Sequence, residues 1–103
     1  MKVIELTKDN FDSEVVECDK VVLIDFWANW CMPCKMLSPV VDEVAEENPQ
    51  IKVCKVNVDK EPELAGAFNV SSIPMLAVVK DKKVVDVSVG VIPKEKILQW
   101  ISV

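Results

Sequence analysis

The seven residues Val21-Val22-Leu23-Ile24-Asp25-Phe26-Trp27 constrain the fold more than any other stretch: all but Asp25 are apolar, and no polar alternation opens a face to water. Such a run reads as a strand buried on both faces, as in a parallel sheet covered by helices. It leads straight into Trp30-Cys31-Met32-Pro33-Cys34-Lys35, and behind that motif Lys35 to Glu47 carries Leu37, Val40, Val41 and Val44 at helical period. Two thiols three positions apart at a helix start can trade a dithiol for a disulfide, and a strand followed by a helix is the setting that chemistry needs.

The remaining elements follow from the same patterns. Val3 to Leu6 reads as a strand, and Thr7 or Asp9 can cap a helix bearing Phe11, Val15 and Val16 on one face. Ile51 to Val58 is a third apolar strand, and Glu61 to Phe68 a short helix introduced by Pro62, a residue tolerated in a first turn. Met75 to Lys80 and Lys83 to Val89 flank Asp81-Lys82 too closely for a crossover, so they form an antiparallel hairpin. Pro93 opens a last helix to Ile101, and Pro39 should kink the long helix. The sum is an α/β fold, a mixed five-stranded central sheet flanked by four helices, with residues 1–103 as one domain.

Half of the 103 residues are apolar, enough for one modest core without structural staples. Twelve basic against seventeen acidic residues leave a net charge of -5 and no basic stripe, which argues against nucleic acid and anionic membrane surfaces as partners. Met1 to Asp9 interrupts its apolar residues with charges and offers neither a signal-peptide core nor a membrane span, so a cytoplasmic protein is expected. Thiols in that compartment are kept reduced, and four cysteines there point to catalytic or metal-binding roles rather than a disulfide framework.

Cys31 stands where the helix begins, so unpaired backbone N–H groups and the positive end of the dipole favour its thiolate, the attacking form. Cys34, one turn further in and less exposed, is placed to resolve the mixed disulfide. Half a zinc site is the competing reading of the pair, but the chain has no histidine, and Cys18 and Cys54 lack C-x-x-C spacing; no metal and no organic cofactor is expected. Pro33 stiffens the first turn without breaking it, and Met32 adds a flexible apolar side chain. Asp25, alone within a buried run, should have its pKa raised by desolvation toward the range of a proton shuttle for Cys34. Lys55, amid Val53, Val56 and Val58, needs a carboxylate partner such as Asp25 or else snorkels to solvent. Cys18 and Cys54 read as structural thiols.

With Asp25-Phe26-Trp27-Ala28-Asn29-Trp30-Cys31-Met32-Pro33-Cys34-Lys35 assembled, the chain resembles the thioredoxin family over essentially its whole length. Lys55-Val56-Asn57-Val58-Asp59 looks like the family's central strand, Ser72-Ile73-Pro74-Met75 like its cis-proline loop, and Val89-Gly90-Val91 like its substrate-groove turn. The resemblance implies the thioredoxin fold, with Cys31 as nucleophile, Cys34 as resolver, Asp25 as buried proton acceptor, Lys55 as its charge partner and Pro74 as the cis proline. It also implies an apolar substrate groove framed by Trp30, Met32, Ile73, Pro74, Gly90 and Val91, with Trp27 packed beneath; from the residues alone, Trp27 and Trp30 could equally be core, and Pro74 an ordinary trans proline.

The activity implied is reduction of target-protein disulfides by a monomer that a thioredoxin reductase recharges. An oxidase or isomerase with the same chemistry, or an accessory binding subunit with incidental thiols, are the alternatives. Met32 stands where the family usually has glycine, leaving the redox potential open. Ser72 and Asp81-Lys82-Lys83 also lack a customary glycine, so locally altered loops are expected.

Overall fold

Five strands, Val3–Glu5 (β1), Val22–Trp27 (β2), Lys52–Asn57 (β3), Met75–Lys80 (β4) and Lys83–Val89 (β5), form one sheet in the computed structural model, which describes residues 3–102. Met1 and Lys2 of the N-terminal segment, and Val103, lie outside the described residues. The strand order is β1-β3-β2-β4-β5, so the most apolar strand is the central one. β1 and β2 run parallel to β3, β4 runs antiparallel to β2, and β5 returns along β4. Four helices accompany the sheet: a single π-helical turn at Asp12–Val16, and α-helices Met32–Glu47 (α1), Pro62–Ala67 (α2) and Lys94–Ile101 (α3).

Strand alternation divides the core between the two faces of the sheet. On one face Leu23, Val53, Leu76 and Val78 pack under Leu37, Val41 and Val44 of α1 and Ile97 and Ile101 of α3. Lys94 of α3 ties the two helices together through Glu43 and Glu47 of α1. On the other face Ile24, Phe26, Cys54, Val56 and Ala77 meet Val15 of the π-helix and Leu64 of α2. Phe68 closes this layer, with its ring 5.1 Å from Phe26 and 5.9 Å from Phe11.

Three local details differ from the sequence-based expectation. Neither Thr7 nor Asp9 caps the first helix, whose N-cap is Phe11 with no side-chain bond; Thr7 instead closes the preceding turn, its hydroxyl accepting the Asn10 N–H (3.3 Å) while Asn10 Oδ1 accepts the Thr7 N–H (2.8 Å). The helix that follows closes on a bond from the Glu17 N–H to the Asp12 carbonyl, five residues back, and is therefore π-helical. Helix α1 begins at Met32, a turn ahead of its apolar repeat, with Pro33 in the first turn, where a missing N–H costs nothing. Pro39 does lie inside α1, where it leaves the Lys35 carbonyl without its usual donor.

Candidate active site

The antiparallel pairing of β2 with β4 sets Phe26 beside Met75, so the loop leaving β2 and the loop entering β4 meet at one end of the sheet. The first loop delivers Trp30 and Cys31, and the second delivers Ile73 and Pro74. Cys31 is the N-cap of α1; its backbone is extended, and its Sγ accepts the Cys34 N–H at 3.2 Å. Cys31 and Cys34 are joined by a disulfide with their Cα atoms 5.3 Å apart. Ala28, Cys31 and Cys34 form a small buried cluster against which Trp27, Val58 and Ile73 pack. Cys34 is only slightly less exposed than Cys31, 2% against 4%. Both cysteines are therefore buried, beneath a rim of apolar side chains.

That rim is uneven. Trp30 is 68% exposed, and its indole N–H donates to Asp59 Oδ2 at 2.9 Å, which fixes the ring over the surface. Asn57 Oδ1 in turn accepts the N–H groups of Asp59 and Lys60, holding that turn in place. Trp30, Val58, Ser72 and Ile73, with Ala65, Val70 and Ser71, line a shallow groove of about 390 Å³. Of the other residues expected to frame a groove, the exposed Met32 and Val91, the buried Pro74 and the half-buried Gly90 all stand outside that lining. The Ile73–Pro74 peptide bond is cis, and the buried Pro74 presents its carbonyl to the Gly90 N–H at 2.8 Å. Gly90 has φ +98, a conformation L side chains rarely adopt, while no neighbour would crowd a Cβ there; conformation, not space, demands the glycine.

Asp25 lies on the sheet face covered by α1, with 1% of its surface exposed and its Oδ1 without a hydrogen-bond partner among the described residues. Burial pushes its carboxyl up to about 6, against the smaller downward pull of the Lys55 ammonium and a further upward push from Asp42. Lys55 is Asp25's register neighbour on β3. Its direct ion pair, however, corrects the pairing expected with Asp25: Lys55 Nζ bonds Asp42 Oδ1 at 2.9 Å and Ser38 Oγ at 2.6 Å, both on α1. Asp25 therefore feels Lys55 across space rather than through a contact. Cys34, Lys35, Ser38 and Lys55 share the lining of a pocket of about 290 Å³ with Trp27, Ala28 and Asn29.

Nothing in the sequence marks Ser38 or Asp42, and Asn57 and Asp59 stand out there only as part of Lys55-Val56-Asn57-Val58-Asp59. Asn57 carries the same signal as Asp25, a polar residue in an apolar strand. Ser38 and Asp42 are spaced four apart and so share one face of α1, but only the tertiary structure shows what that face covers. Cys54 is fully buried in the opposite core, where burial pushes its thiol up to about 12, and Cys18 is half-buried beside that cluster. Among the described residues no group of three or more metal-ligating side chains comes together.

Comparison with known proteins agrees with this geometry. A family model described as Thioredoxin matches residues 2–103. The chain is 44% identical over 102 residues to a thioredoxin of Chlorobaculum thiosulfatiphilum, covering 98% of this chain and 94% of the relative. It is 45% identical over 97 residues to thioredoxin 2 of Chlorobaculum tepidum, covering 93% and 89%. Thioredoxin 1 of a Nostoc species is 45% identical over 99 residues, covering 95% and 92%.

Proposed function

Because the chain belongs to the thioredoxin family, we propose that its Cys31–Cys34 couple reduces protein disulfides with Cys31 attacking and Cys34 resolving. The disulfide at the N-terminus of α1 carries this reading, since a sulfur at an N-cap is next to donors that stabilise a thiolate. In the reduced protein the Cys31 thiolate attacks one sulfur of a target disulfide, forming a mixed disulfide and expelling a target thiolate. Asp25, acting through water in the pocket beside Lys55, takes the proton of Cys34. The Cys34 thiolate then attacks Cys31 Sγ, the second target thiolate leaves, and the Cys31–Cys34 bond returns with two electrons delivered.

The target's chain lies in the groove between Trp30 and Ile73, with Pro74, Gly90, Met32 and Val91 in the segments that border it. Pro33 keeps the first turn rigid. A thioredoxin reductase restores the dithiol, and the protein works as a single domain and a monomer in the cytoplasm. Among the described residues no helix is long and apolar enough to cross a membrane.

Insulin reduction driven by dithiothreitol tests the roles. Cys31→Ser should abolish turnover, while Cys34→Ser should accumulate a mixed disulfide at Cys31. Activity surviving in Cys31→Ser would overturn the assignment.

A further inference from the structure

Asp25 and Lys55 are side by side on β2 and β3, with backbones about 5 Å apart and side chains on the same sheet face, so the Lys55 side chain starts beside a buried carboxyl. It nevertheless turns to α1, where Ser38 Oγ and Asp42 Oδ1, one turn apart, receive its ammonium at 2.6 and 2.9 Å. Asp25 Oδ1 is left without a partner. We propose that Ser38 and Asp42 are positioning residues that hold the Lys55 ammonium off Asp25 and thereby keep the buried carboxyl able to carry a proton.

The groups that bear on Asp25 can be named for each neighbouring element. β3 supplies Lys55, and α1 supplies Asp42 and the disulfide, which is uncharged. Lys35 lines the shared pocket from α1, and the register partner on β4 is the apolar Leu76. A carboxyl so enclosed stays protonated to near-neutral pH only while the adjacent cation is engaged elsewhere; an ammonium swung into contact favours the carboxylate strongly. Burial supplies the largest upward push and the Asp42 charge a smaller one, and the α1 pair keeps Lys55 from cancelling them.

The inference deepens the proton-acceptor role given to Asp25, and its test reads the carboxyl itself, so it can fail or succeed independently of that role. In oxidised protein the Asp25 carboxyl is titrated by carbon-detected NMR. Asp42→Asn is expected to lower its midpoint by about one pH unit, the lower end of what a close opposite charge produces. Ser38→Ala, which changes no charge, is expected to lower it by about half a unit, the worth of one hydrogen bond. In a Lys55→Gln background the Ser38→Ala shift should shrink to near zero and the Asp42→Asn shift to the smaller part that the Asp42 charge exerts directly, and Ser38→Thr should restore the parent midpoint. A midpoint unmoved or raised by Ser38→Ala, or an Asp42→Asn shift of full size without Lys55, would overturn the proposal. Spectra showing the fold intact in each variant keep the comparison valid. The separate role of Asp25 toward Cys34 is read from the pH profile of turnover in Asp25→Asn.

Discussion

Asp25 shows how one residue can be costly to the fold and useful to the site. Its carboxyl is raised to about 6 in the folded chain, so the native state holds a proton that the unfolded chain gives up near the ordinary carboxylate value. The contribution of Asp25 to stability is therefore fully present below about pH 4, is lost as pH rises through about 6, and is level beyond it. The displacement of its carboxyl to about 6 corresponds to roughly 3 kcal/mol. Asp25→Asn, neutral and of the same shape, should recover most of that above pH 6 and flatten the pH dependence of urea unfolding; a variant no more stable than its parent at pH 7.5 would contradict the burial argument. The sequence exposed Asp25 because a carboxylate inside an apolar run is conspicuous, but it gave no sign that Lys55 binds Ser38 and Asp42. Helical spacing pairs those two residues, and only the docking of α1 over β3 gives them a common target. The remaining thiols differ sharply in access. With Cys31 and Cys34 bonded, iodoacetamide at pH 8 should alkylate the half-buried Cys18 and leave Cys54 untouched until the protein unfolds. Comparable rates at both would show that the core around Cys54 opens readily.

At the scale of elements, the strands of the hairpin were readable to the residue, since Met75–Lys80 and Lys83–Val89 end abruptly at Asp81-Lys82. The turn between them was expected to suffer for lack of glycine. Its two central residues have φ 52 and φ 68, the double positive-φ geometry whose twist suits a two-residue hairpin. Aspartate tolerates that region, whereas lysine pays a steric cost there. Lys82→Gly should raise stability by about 0.5–1 kcal/mol, less than the full relief because glycine also loosens the unfolded chain. A fall in melting temperature would argue that Lys82 makes a compensating contact. The π-helical turn was not legible, since five residues are too few to distinguish a bonding step of five from one of four. β5 forms an edge with exposed Val84, Val85, Val87 and Val89, and Asp86 guards it by accepting the Val87 N–H and the Trp100 indole N–H.

Across the whole molecule, the site exists because the topology gathers loops that are far apart in the chain. Parallel β3 brings Lys55 beside Asp25, antiparallel β4 brings Pro74 to the cysteine loop, and β5 brings Gly90 to the Pro74 carbonyl. Strand runs and helical periods sufficed to derive the mixed sheet. The cis bond at Pro74 and the exposure of Trp30 came only from the family resemblance, because no local pattern separates them from a trans proline and a core tryptophan. The Cys31–Cys34 couple works as a reductant although Met32 occupies the position after Cys31. Equilibrating a Cys18→Ala, Cys54→Ala variant in defined glutathione or dithiothreitol redox buffers gives the potential of the Cys31–Cys34 couple directly. A value near about -270 mV is expected, the reference value for thioredoxin itself rather than a consequence of this geometry. A potential above about -180 mV, in the range of disulfide isomerases and oxidants, would contradict it.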